Sequence, residues 1–114
     1  MSSFKQSFSY AINGFKVALN EKHFKVHLLA VVVVTAAGFY FHITQTEWLI
    51  CLLLFALVIS LEIVNTSIER FVDLVSPEHN PKAGQVKDLA AAAVLVAAIA
   101  SVIAAVLIFS KYIF

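Results

Sequence analysis

The sequence predicts an all-α integral membrane protein, an N-terminal amphipathic helix followed by three membrane-spanning helices. Three observations carry that reading. The 114 residues are 61% hydrophobic and 13% charged, with a mean hydropathy of +0.93, which leaves too few charges to coat a water-soluble domain of this size. The apolar residues gather into three segments of roughly the length a bilayer requires. The basic residues gather at alternate ends of those segments. A chain this short has room for a single domain, 1–114. A net charge of +1 gives no electrostatic support to nucleic-acid binding. The one cysteine, Cys51, lies in an apolar run, which excludes an intrachain disulfide and a cysteine metal cluster. Neither a GxxxxGK[ST] loop nor a GxGxxG turn is present, so any nucleotide must be held by other means.

The first element is expected over residues 1–22. Phe4, Phe8, Ala11, Ile12, Phe15, Ala18 and Leu19 recur at helical spacing, with Lys5, Ser9, Asn13, Lys16 and Asn20 between them. That pattern suits a helix lying in the membrane interface, or one packed on a protein partner. It lacks the compact apolar block and small-residue cleavage site of a signal peptide.

Three spans follow, expected over 25–41, 47–70 and 86–110. The first is apolar from Val26 to Phe41 apart from His27 and Thr35. The second opens on "WLICLLLFALVISL", which has no charge, and crosses only if its helix continues into Glu62–Val64. The third runs without a charge from Leu89 to Phe109. "HITQTE" connects the first two, and "SPEHNPKAGQ", with Pro77, Pro81 and Gly84, reads as the loop between the last two. Lys5, Lys16, Lys22 and Lys25 precede the first span, while Arg70, Lys82 and Lys87 lie between the second and third. The "HITQTE" connector has no basic residue and the tail has only Lys111. The positive-inside rule then places the N-terminus and the 70–87 segment in the cytoplasm.

The second span ends in "EIVNTSIERFVDLV", Glu62 to Val75. On a helix turning about 100° per residue, Glu62 at zero puts Asn65 at about −60°, Glu69 at about −20° and Asp73 at about +20°. These groups form one stripe about three turns long, beginning at or just inside the membrane edge. An acid at that depth usually faces a partner, a cavity or a cation. Two readings compete. In one, Glu62 neutralises a lysine of the first helix and Glu69 pairs with Arg70 or Lys87. In the other, Glu21 and Lys87–Asp88, expected at the same level, join the stripe in a site for a divalent cation bound to phosphate. His23 and His27, spaced i, i+4, suit zinc together with Glu21, or simply face lipid headgroups. No histidine has the nucleophile of a catalytic triad.

"EIVNTSIERFVD", "KAGQVKDLAAAAV" and "EKHFKVH" together resemble the membrane-embedded bacterial diacylglycerol kinase and undecaprenol kinase family, and the resemblance covers essentially the whole chain. It implies transfer of a phosphoryl group from ATP, with Mg²⁺, to a lipid alcohol at the inner face of the bacterial cytoplasmic membrane. It also implies a homotrimer whose sites combine neighbouring subunits. By position, Glu62 takes the role of catalytic base, and Glu21 and Glu69 that of metal ligands. Tyr10, Glu21, Glu69, Glu78, His79, Asn80, Lys87 and Asp88 match ATP-contacting positions, with Asn65 and Asp73 as supporting polar groups. Ala92 stands where the family has glycine. The short chain and the loop "SPEHNPKAGQVKD" look more like the undecaprenol kinase branch, with diacylglycerol as the alternative substrate. Outside that resemblance stand two other classes, a non-enzymatic membrane adaptor whose acids only pair with lysines, and an ion carrier. The carrier needs polar groups spread through the membrane depth, whereas these cluster on one side.

Overall fold

The computed structural model describes residues 3–114, and all the regular structure among them is helical: α1 (Phe4–Ala18), α2 (Lys22–Phe41), α3 (Gln45–Val75) and α4 (Pro81–Ile113). Residues 1 and 2 of the expected 1–22 helix lie outside this range. α2, α3 and α4 are each long and apolar enough to cross a membrane.

The starts of α1, α3 and α4 are set by side chains satisfying the first free N–H groups, whereas Glu21 caps α2 without a side-chain hydrogen bond. At α1, Ser3 Oγ accepts from the Gln6 backbone N–H at 3.2 Å while Gln6 Oε1 accepts from the Ser3 N–H at 3.0 Å. Thr44 and Glu47 make the same reciprocal box at α3, at 3.2 and 2.9 Å. At α4, Asn80 Oδ1 accepts from the N–H groups of Lys82 and Ala83. Pro81 follows at the first helical position, where its missing N–H is no loss. The expected loop of residues 76–85 is corrected accordingly. Pro81 starts a helix instead of breaking one, Gly84 lies inside it, and the connection shrinks to residues 76–80.

These caps make α3 31 residues long, roughly 46 Å at 1.5 Å per residue. A hydrocarbon core of about 30 Å takes up about 20 of those residues. With Glu47 at one boundary, the other falls near Ser67. Glu62 then sits about 7 Å inside the core while Glu69 and Asp73 project beyond it.

α3 is the central helix, packed along α4 and less extensively on α2, while α1 contacts the bundle little. The tightest packing is at the His42–Thr44 end. There Ile43, Cys51, Ile108 and Phe109 are buried among Phe41, Trp48, Phe55 and Tyr112. Glu47 is 7% exposed in the same region. Its Oε1 accepts from Tyr112 Oη at 2.5 Å and its Oε2 pairs with Lys111 Nζ at 2.6 Å. The start of α3 is thereby tied to the end of α4, so the opposite ends of these helices are held in register.

Candidate active site

The polar stripe of α3 runs from buried to exposed. Glu62 and Asn65 are 4% and 8% exposed, Glu69 is half-buried, and Asp73 is exposed. Glu62, Asn65 and Glu69 line one pocket of about 270 Å³, closed by His23 and His27 of α2 and by Ala91, Val94, Leu95 and Ala98 of α4. The Asn65 amide nitrogen donates to Glu69 Oε1 at 3.2 Å. Among the described residues its buried Oδ1 has no hydrogen-bond partner, and such an orphan acceptor in a pocket marks a place for a donor or a cation. Small residues on α4, Ala91 and Ala98 among them, leave the space that the pocket occupies.

Glu62 has no lysine partner. Among the described residues its ion-pair contact is His27, whose Nε2 lies 3.5 Å from Glu62 Oε2. Arg70 pairs with Glu21 at 2.6 Å, not with Glu69. Lys87 binds Asp73 instead of Glu69. The lysine-neutralising reading of Glu62 and the Arg70 or Lys87 pairing of Glu69 are therefore both set aside. The headgroup-facing reading of His27 is corrected too, because packing of α2 on α3 turns it inward while His23 stays exposed. The zinc reading of His23, His27 and Glu21 finds no counterpart. Among the described residues no three His, Cys, Asp or Glu side chains stand close enough to hold a metal between them.

A second, apolar chamber of about 310 Å³ adjoins this pocket deeper in the bundle, and His27 and Ala98 line both. Its walls are otherwise almost wholly aliphatic or aromatic; the polar exceptions are Cys51 and Ser101. The Ser101 hydroxyl is spent on the Ala97 carbonyl at 2.8 Å. A buried glutamate thus lines a pocket that shares two wall residues, His27 and Ala98, with an apolar chamber, an arrangement suited to meeting the hydroxyl end of a hydrophobic molecule.

The remaining sequence candidates lie outside this pocket. Glu21 precedes α2 as its N-cap residue, and its carboxylate meets α3 through Arg70. Lys87 and Asp88 are in the second turn of α4, with Lys87 bound to Asp73. Glu78, His79 and Asn80 form the exposed connection, Asn80 serving as the α4 cap. Tyr10, on α1, is 62% exposed. Within one chain, then, Glu62, Asn65 and Glu69 are brought together, and Tyr10, Glu78 and Asp88 are not.

A family model described as prokaryotic diacylglycerol kinase matches residues 9–109. The chain is similar to an undecaprenol kinase of Bacillus subtilis, 40% identical over 110 residues covering 96% of this chain and 89% of that protein. A diacylglycerol kinase of Synechocystis is 38% identical over 85% of this chain and 57% of its own length. For that of Escherichia coli K12 the values are 30%, 82% and 78%. With its three long apolar helices and a match over nearly its whole length, the chain belongs to the prokaryotic diacylglycerol kinase family of bacterial membrane proteins and is a lipid kinase.

Proposed function

We propose that the protein transfers the γ-phosphoryl group of ATP to undecaprenol, at the cytoplasmic face of the bacterial inner membrane. The observation that carries this reading is the position of Glu62, buried in the pocket that shares His27 and Ala98 with the apolar chamber. A hydroxyl held there has its tail in hydrocarbon and its proton within reach of a carboxylate. Glu62 takes that proton as the oxygen attacks phosphorus. The rest of the work is positioning and charge neutralisation, as is usual in phosphoryl transfer.

Magnesium takes one or two protein carboxylates together with phosphate oxygens, and the donors present suit it. Glu69 and Asn65, whose Oδ1 is orphaned, are hydrogen-bonded neighbours, and Glu21, held by Arg70 outside the pocket, would be the third ligand. Bound there, the ion would act as a Lewis acid on the phosphoryl oxygens. Lys87, freed from Asp73, faces the phosphates. Asp88, Glu78, His79, Asn80 and Tyr10 contact the remainder of the nucleotide. Lys87 meets Asp73 11 residues along α3 from Glu62, about 16 Å on a helix axis. That separation supports a homotrimer in which neighbouring chains complete each site. The exposed apolar residues of α1, among them Phe4, Phe8 and Phe15, suit a helix seated in the cytoplasmic interface.

Chamber chemistry favours a polyprenol over diacylglycerol. Of two ester carbonyls entering a space whose one hydroxyl is committed and whose other strong donor is His27, at least one would go unpaired, at about 1–3 kcal/mol. A polyprenol brings no such groups. Transfer of labelled γ-phosphate to undecaprenol by the purified protein and by Glu62→Gln tests the assignment. The variant should bind Mg²⁺–ATP normally and lose at least about 100-fold in kcat. Near-normal kcat at saturating substrates would refute Glu62 as the base.

A further inference from the structure

We propose that His27 is the second proton station of the site. It takes from Glu62 the proton released by the lipid hydroxyl and passes it to cytoplasmic water. The inference rests on the reading of Glu62 as base and goes beyond it, because it concerns how that base is reset.

Each turnover breaks one O–H bond of the alcohol, forms one O–P bond, breaks the bond from the γ-phosphorus to the ADP oxygen, and leaves one proton on Glu62. The carboxyl must lose that proton before it can act again. Its side chain is 5% exposed, so it has little direct contact with water. His27 Nε2 stands 3.5 Å from Glu62 Oε2, with its own side chain 21% exposed. The imidazole is thus positioned between the buried acid and the open part of the pocket. A neutral imidazole accepts a proton at one ring nitrogen and can release one from the other.

From α3 the pocket receives Asn65, which does not titrate, and Glu69, whose Oε1 accepts from Asn65 Nδ2 and which the proposed function assigns to the metal. α4 contributes Ala91, Val94, Leu95 and Ala98, none of which titrates. The relay balances without a further reactant. Protonated Glu62 and neutral His27 become carboxylate and imidazolium, and the imidazolium yields its proton to water.

The test is kcat of His27→Gln in mixed micelles with saturating undecaprenol and Mg²⁺–ATP, as a function of imidazole concentration at fixed pH and ionic strength. Glutamine keeps a hydrogen-bond donor beside Glu62 but cannot carry a proton. The expected result is a fall in kcat of at least about tenfold, an unchanged KM for ATP, and partial recovery as imidazole is added. The unaltered protein should show no such dependence on imidazole. A kcat for His27→Gln within twofold of normal would overturn the relay, as would a loss that imidazole does not restore. Glu62→Gln assayed alongside separates the two ideas. If it is inactive while His27→Gln is normal, the relay alone fails, whereas an active Glu62→Gln removes the base reading itself.

Discussion

Glu62, Asn65 and Glu69 occupy one face of α3 because three- and four-residue steps on a helix return to nearly the same direction, so their meeting in one pocket was legible from spacing alone. Contacts between helices were not. Whether Arg70 turns to Glu69 or to Glu21, and whether His27 faces lipid or Glu62, depends on the rotation of α2 against α3, which no local pattern in "EKHFKVH" encodes. Roles still separate by position. Glu69→Gln should raise the concentrations of Mg²⁺ and ATP needed for half-maximal rate, since it removes one of the adjoining oxygen donors while leaving Glu62 in place. Lys87→Met should raise KM for ATP and lower kcat together, as expected for an ammonium that meets phosphate in both ground and transition states. Steady-state titrations of both variants decide this; a Lys87→Met enzyme with unchanged KM for ATP would remove the lysine from the nucleotide site.

The helices were legible as elements, because three long apolar segments bounded by charge admit little else in a chain of this composition. Their ends were less so. "TQTE" at Thr44–Glu47 is a capping-box pattern and "NP" at Asn80–Pro81 is a cap followed by an N1 proline, signals that read locally as connector and loop. The turn between α2 and α3 imposes a further demand. His42 closes α2 in the left-handed conformation at φ 53°, and the Trp48 ring folds back over Gly38. A Cβ on Gly38 would stand 2.5 Å from Trp48 Cη2 and 2.8 Å from Cζ2, closer than atoms can approach. Gly38→Ala should therefore displace the indole and destabilise the bundle by about 1–3 kcal/mol. Thermal unfolding in detergent reads this out. Combining the change with Trp48→Leu should recover most of the loss, and no recovery would place the strain elsewhere.

At the scale of the whole molecule, α2, α3 and α4 carry an apolar exterior, and on the proposed function the lipid substrate reaches the site sideways between them. Composition and helix count made the membrane architecture legible. The adjoining pair of cavities was not, because it arises from Ala98 and His27 meeting across two helices. Ala98→Leu, narrowing the junction, should lower kcat/KM for undecaprenol about tenfold or more while leaving ATP binding intact; an equal loss of nucleotide affinity would mean that the junction serves the nucleotide instead. The central claim is that this family member phosphorylates a polyprenol at Glu62. Its most direct test compares kcat/KM for undecaprenol and diacylglycerol, presented in the same mixed micelles to the same preparation. The account predicts a preference for undecaprenol of at least about tenfold, which corresponds to about 1.4 kcal/mol of transition-state stabilisation. A tenfold preference for diacylglycerol would contradict it.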